Sequence, residues 1–166
     1  MTSEQFCNMM YGYAVTAGKA LNISPIVVLS QWGLETGWGT NNGFLNHHNL
    51  AGLNSTNGVA QTFSNFMEAV RQYVVNMKAD CPHINDGTAN PESDALFVLQ
   101  GTDYNANPQY PTDVQQVYTD NVLPWWHDSV KPTNTHTVST DAGEVTFTWD
   151  FATVPYHIDV SIMPKK

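Results

Sequence analysis

The sequence predicts a mainly α-helical domain followed by a C-terminal β-hairpin. Three observations carry this prediction. Apolar residues recur at helical spacing behind N-cap signals over residues 3–21 and 24–36. The same spacing returns at Phe66, Val70, Tyr73 and Met77 and again at Val114, Val117, Tyr118 and Val122, with Gly-, Asn- and Pro-rich loops between. Beyond Lys131-Pro132 the apolar period falls to two. With 166 residues the chain is long enough for one domain with a proper core and a small appendage. The expected organisation is a helical domain over 1–131, a polar linker over 132–143 ("TNTHTVSTDAG"), and a hairpin extension over 144–166.

Each element has a local cause. Thr2-Ser3-Glu4-Gln5 reads as a capping box, and Phe6, Met9, Met10, Tyr13, Ala14, Ala17 and Leu21 follow on one helical face. Ser24-Pro25 reads as an N-cap with a first-turn proline, opening a second helix to about Thr36 that is apolar nearly all round and so expected to be buried. Gly37 and Gly39 stop it. Residues 37–62 read as loop, with a short hairpin at Thr56-Asn57-Gly58. A third helix is expected over about 64–79, a short one from Asn90-Pro91 to Gly101, and another from Pro111 to Pro124. In the tail, Val145, Phe147, Trp149 and Phe151 alternate with polar residues, as do Tyr156, Ile158, Val160 and Ile162. A lone hairpin is marginal in water, so this one must pack on the helical body or on another chain. That makes residues 144–163 a candidate contact for a homo-oligomer or a virion partner.

Composition excludes several classes. Fifteen acidic against six basic residues give a formal net charge of −9 with no Lys/Arg cluster, which speaks against nucleic acid. No apolar run approaches the roughly 18–20 residues of a membrane span. The N-terminus lacks a basic n-region, so the chain reads as cytoplasmic, exported by another route, built into a larger particle, or a mature form whose leader is missing; the expectation taken is extracellular or virion-associated. Cys7 and Cys81 either pair or remain free buried thiols, the latter being the plainer reading. His47-His48 is an adjacent pair whose side chains diverge on regular structure, so neither a metal site nor any other cofactor is expected.

The chemistry centres on "QWGLETGWGTNNG", residues 31–43. Glu35 is the sole Asp, Glu, Lys or Arg between Lys19 and Glu68. At about 100° per residue, Val28, Trp32 and Glu35 share one helical face. A carboxyl there is partly desolvated, and it lies in the last turn, where the helix dipole also disfavours an anion. Both effects raise its pKa. A carboxylic acid kept protonated near neutral pH can protonate the leaving oxygen of a glycosidic bond. Trp38 and the polar loop from Asn41 are candidates for a sugar-binding wall. The plain alternative is a helix-end glutamate turned to solvent.

The stretch "LSQWGLETGWGTN" resembles the glucosaminidase family of peptidoglycan hydrolases, whose members share a lysozyme-like, mainly helical fold. Three more pieces follow in order. "NHHNLAGLN" (46–54) is similar to the family's Asn-Leu-Phe-Gly-Ile element, with Ala51 for Phe. "FSNFMEAVRQYVVNM" (63–77) is similar to its aromatic-rich helix start. "YNANPQY" (104–110) is similar to its Tyr-Ala-Thr-Asp-Pro-x-Tyr motif, with Asn107 for Asp. The resemblance covers about residues 5–123. It implies Glu35 as general acid and Tyr110 as a catalytic partner that positions substrate or stabilises the transition state. It implies substrate-binding places for Tyr104, the second choice for that role, and for Asn49 and Gly52 at the cleft floor.

One departure stands out. Many members carry a second acid between the Asn-Leu element and the next helix; here Leu53–Phe66 contains none. Glu68 falls just inside the next helix and reads as a solvated face residue. A two-carboxylate mechanism needs an acid across the scissile bond. Otherwise the substrate's own acetamido group attacks, as in an endo-β-N-acetylglucosaminidase, or a muramyl 6-hydroxyl attacks, as in a lytic transglycosylase. A third route has Asp80 or Asp86 fold over the cleft. The leading expectation is an N-acetylglucosaminidase acting on the peptidoglycan glycan strand, read as a phage-borne lysin over a secreted autolysin. The rivals are a muramidase or transglycosylase of the same fold and a non-catalytic glycan-binding virion protein.

Overall fold

Helix α1 (Ser3–Leu21) opens on the complete capping box that the sequence spells. Thr2 Oγ1 accepts from the Gln5 amide at 3.2 Å, and Gln5 Oε1 accepts from the Thr2 amide at 2.9 Å. Its buried stripe is Phe6, Cys7, Met10, Ala14, Ala17 and Leu21. Asn22 turns the chain in the left-handed region, and Gly18 lets the following segment cross close by: a β-carbon there would stand 2.8 Å from the Ile23 carbonyl. Helix α2 (Pro25–Thr36) then starts at Ser24 and Pro25. Every residue from Pro25 to Gly33 is buried, as an all-round apolar helix requires. It packs on α1, on α7 (Tyr110–Val117) and on the wide helical turn Tyr118–Val122 that continues α7. Helix α4 (Phe66–Asp80) closes over α1.

The structure, a computed structural model, describes residues 1–54, 58–130, 134–140, 143–150 and 157–164, with side chains up to residue 129. It comprises two compact units, Met1–Pro124 and Trp125–Lys166. The first unit carries the helices. Among its described residues the backbone of Asn54 and Ala60 forms an isolated bridge, and the expected turn at Thr56-Asn57 lies outside them. Cys7 and Cys81 are both free and buried, and burial pushes their thiols up to about 12 and about 11.

Four boundaries differ from expectation. Residues 42–47 form a helix, α3 (Asn42–His47), in what reads as loop: Asn41 Oδ1 caps the Phe44 amide at 2.9 Å, and the buried Phe44 ring anchors the turn. A further short helix, α5 (Pro82–Asn85), lies between the helices expected over 64–79 and from Asn90, where none was expected. The expected start at Asn90 is instead an Asx turn, with Asn90 Oδ1 taking the Glu92 amide, and α6 (Ala95–Leu99) begins at Asp94. Pro124 does not end the last helix. It lies inside α8 (Leu123–Trp125), preceded by the π-type turn of residues 118–122. An i→i+5 turn relaxes the clash that proline makes with the carbonyl one turn back.

In the second unit a π-type turn spans Trp126–Val130, and three strands follow: β1 (Asn134–Thr140), β2 (Gly143–Asp150) and β3 (His157–Pro164). They pair antiparallel in the order β1-β2-β3. The segment read as a linker therefore holds a strand. The register sets Val145 opposite Ile162, Phe147 opposite Val160 and Trp149 opposite Ile158. The connection 151–156, and with it the turn of the expected hairpin, lies outside the described residues.

Candidate active site

The end of α2 is built by its own short-range bonds. Gly37 takes the left-handed conformation at the C-cap, and the Trp38 amide returns to the Gly33 carbonyl at 2.9 Å. Asn41 Nδ2 donates to the Glu35 carbonyl at 2.8 Å while its Oδ1 starts α3. One asparagine thus closes one helix and opens the next, fixing the backbone that carries Glu35.

The Glu35 side chain is half-buried. Burial raises its carboxyl above the ordinary carboxylate range, and a hydrogen bond from the Tyr110 hydroxyl partly offsets this. The Tyr110 ring, at the first position of α7, is itself buried. The loop before α4 supplies the opposite side. Gly52 has φ +63°, and a β-carbon there would stand 2.5 Å from Glu35 Oε2. Gly52 is glycine for two reasons at once, its backbone conformation and the berth it leaves for the carboxyl.

Asn49 holds that loop. It is buried, its Nδ2 donates to the carbonyls of Leu53 (2.7 Å) and Gln61 (3.1 Å), and its Oδ1 accepts from the amides of Ala51 (3.4 Å) and Leu53 (2.9 Å). Among the described residues these bonds all go to protein backbone, and they hold the loop that carries Gly52. The Tyr104 hydroxyl donates to the Ala51 carbonyl at 2.5 Å, and its ring stacks on Tyr110 at 6.0 Å. The loop of 104–110 is thereby pinned to the loop of 49–53.

Five of the residues picked from sequence therefore come together: Glu35, Tyr110, Gly52, Asn49 and Tyr104. Trp38 does not join them. Its ring lies on Gly33, where a β-carbon would meet it at 2.5 Å, and edge-on to Phe6 of α1 at 5.8 Å. Gly33 points about 200° around α2 from Glu35, so Trp38 seals the α1–α2 packing. The glycines near it serve the same end: a β-carbon at Gly39 would crowd Phe44 and Phe6.

One residue escaped the sequence reading. Gln31 is fully buried one turn before Glu35, with Nε2 donating to the Tyr110 hydroxyl at 2.9 Å and Oε1 accepting from the Tyr73 hydroxyl at 2.7 Å. Its i, i+4 spacing from Glu35 was the available signal. Two other carboxylates considered from sequence are otherwise engaged. Glu68 is exposed and accepts from the Ser64 amide and hydroxyl, both at 2.7 Å, which holds its carboxyl below the usual range. Exposed Asp86 is tied to the Thr88 amide and hydroxyl and is likewise lowered. Among the described residues no group of three or more His, Cys, Asp or Glu could hold a metal ion, and no single helix is long and apolar enough to cross a membrane.

Residues 11–123, which carry the whole of this constellation, match the glucosaminidase family, described as mannosyl-glycoprotein endo-beta-N-acetylglucosaminidase. The chain belongs to the glucosaminidase family. This glucosaminidase is therefore a glycoside hydrolase. Its fold is mainly helical and lysozyme-like. It is similar to a peptidoglycan hydrolase from Sphingomonas sp. A1 at 20% identity and TM-score 0.59, over 79% of this chain and 97% of that one. The glycoside hydrolase domain of FlgJ from Salmonella typhimurium aligns at 20% identity and TM-score 0.59, over 78% and 93%. The catalytic domain of the autolysin Auto from Listeria monocytogenes aligns at 18% and 0.58, over 75% and 88%. No curated protein sequence matches significantly.

Proposed function

We propose that this glucosaminidase cleaves the glycan strand of peptidoglycan as an endo-β-N-acetylglucosaminidase, with Glu35 as general acid and Tyr110 as its catalytic partner. The observation that carries the reading is the berth of Glu35: a half-buried carboxyl, raised by burial, hydrogen-bonded by Tyr110 and facing a glycine that leaves room beside it. The wall as substrate is supported by the names of the structural neighbours, a peptidoglycan hydrolase and the catalytic domain of an autolysin among them. Such a substrate implies work outside the cytoplasmic membrane, from a secreted or a virion-borne protein.

The mechanism needs one protein acid, Glu35. Protonated Glu35 gives its proton to the leaving glycosidic oxygen as the C1–O bond breaks. The acetamido oxygen of the same N-acetylglucosamine bonds to C1, closing an oxazoline ring. Water then attacks C1, the ring opens, and the Glu35 carboxylate takes the proton that water releases. Tyr110 donates to the carboxylate while it is charged. A lytic transglycosylase is the second reading, because it too needs one protein carboxyl. For residues 144–166 we propose a β-hairpin extension whose role is docking to a partner or a second copy.

Glu35→Gln is expected to abolish clearing of purified cell walls while keeping a folded, cooperative melt. Muropeptides released by the wild type should end in reducing N-acetylglucosamine by mass spectrometry. Anhydro-muramyl ends would transfer the reading to the transglycosylase. Full clearing by Glu35→Gln would overturn the assignment of the acid.

A further inference from the structure

The contacts behind Glu35 run in one direction. The Tyr73 hydroxyl, on α4, donates to Gln31 Oε1, Gln31 Nε2 donates to the Tyr110 hydroxyl, and Tyr110 donates to Glu35. Gln31 and Tyr73 are both fully buried, so water does not compete for these bonds. A phenol carries one proton, and an amide has a donor end and an acceptor end. With Gln31 reversed, its oxygen would take the Tyr110 proton, Glu35 would lose its donor, and the Tyr73 proton would face an amino group. That reversal strands a buried donor. In the observed arrangement Trp32 Nε1 is the one buried side-chain nitrogen or oxygen without a partner among the described residues. Tyr73, 42 positions along the chain from Gln31, thus decides which way the amide faces.

We propose that Gln31 and Tyr73 are positioning residues for the reaction: together they hold the Tyr110 hydroxyl as a donor to Glu35 and forbid the opposite orientation. The proposal rests on Glu35 as the general acid. The titratable groups facing Glu35 are Tyr110 from α7, Tyr73 from α4 and Tyr104 from the loop between α6 and α7, with Cys81 and Asp80 beyond Tyr104. A donated O–H favours the carboxylate over the acid. The relay therefore stabilises the charge that Glu35 acquires as it releases its proton, and it limits how far burial raises the acid's pKa.

The test is a carbon-13 titration of the Glu35 carboxyl in wild type, Tyr73→Phe, Gln31→Met and Tyr110→Phe, with pH–rate profiles alongside. Tyr110→Phe removes the donor and sets the full upward shift. Tyr73→Phe frees the amide to turn and take the Tyr110 proton, so the Glu35 ionisation constant should fall about threefold or more. The basic limb of kcat/KM should move to higher pH by the same factor, and kcat should drop about 5–10-fold with KM within about twofold. Gln31→Met, the larger change and the nearer one, should shift Glu35 less, because Tyr110 then has Glu35 as its remaining acceptor. A merely structural role predicts the reverse order and no movement of the limb.

An unchanged Glu35 titration in Tyr73→Phe, or a larger shift in Gln31→Met, overturns the relay. If Tyr73→Phe does not fold, Gln31→Met against Tyr110→Phe carries the test, and equal shifts overturn it. The titration needs no turnover. A fully active Glu35→Gln would sink the functional reading while the titration still judged the relay.

Discussion

Two residues bear opposite burdens at the site. Glu35 is an acid whose folded pKa is raised, so the folded state holds its proton more tightly than the unfolded chain. The sign follows. Below the ordinary carboxylate range both states are protonated and Glu35 costs nothing. As pH rises through the interval up to the folded pKa, the unfolded chain ionises first and stability is lost. Glu35→Gln is therefore expected to melt with wild type near pH 4 and above it at pH 7, read by thermal denaturation across pH; a mutant less stable at pH 7 would contradict the burial argument. Gly52→Ala meets the other burden. It places a β-carbon at φ +63° and 2.5 Å from the carboxyl oxygen. The conformation alone costs about 1–2 kcal/mol, and the carboxyl must move as well. We expect a fall in kcat of at least about tenfold, since displacement of an acid by an ångström is costly, together with a lower Tm. Wild-type kcat in a folded Gly52→Ala would show that the berth does not matter. Glu35 and Gly52 were readable from sequence because one is a lone charge and the other sits in a motif. Gln31 was not, because a buried glutamine in an apolar helix declares a partner without naming it, and its partners lie 42 and 79 positions away.

Helices were legible where their caps were local. α1 and α2 start and stop on residues that bond within three or four positions of themselves, and the expected limits match within a residue. α3 was missed because Gly and Asn read as loop until Phe44 is known to be buried, which is a tertiary fact. Pro124 misled because the π-type turn that accommodates it leaves no mark on the apolar period. Trp38 misled for a related reason: composition brings it near Glu35 along the chain, but the left-handed turn at Gly37 and Trp38 itself carries the ring to the opposite side of α2. The loop of 49–53 shows the same division of labour. Its sequence motif was readable; the resemblance put Asn49 at the cleft floor as a substrate contact, and the bonds described for it run to backbone. Asn49→Ala should therefore act on the element, with a loss of about 2–3 kcal/mol in denaturant unfolding. Activity per folded molecule should fall through kcat as Gly52 loosens. A loss confined to KM, with stability intact, would restore the substrate-contact role.

Across the whole molecule, chemistry and appendage separate. Glu35, Gln31, Asn49, Gly52, Tyr73, Tyr104 and Tyr110 all fall within Met1–Pro124, which is compact in its own right, and the family match ends at residue 123. The strands over 134–164 contribute none of these residues. Their alternation has a different logic: the register sets apolar positions opposite one another on β2 and β3. Truncation after Lys131 keeps Trp125 and Trp126, which are buried, and removes the strands. The fragment is expected to melt cooperatively and to release the same muropeptides from soluble glycan at a rate within about twofold of the full chain, since every residue placed at the site lies within Met1–Pro124. Any association of the full chain, read by light scattering, should disappear with the strands. A fragment that fails to fold would show instead that residues 134–164 complete the core, and the hairpin's role would then be structural rather than docking.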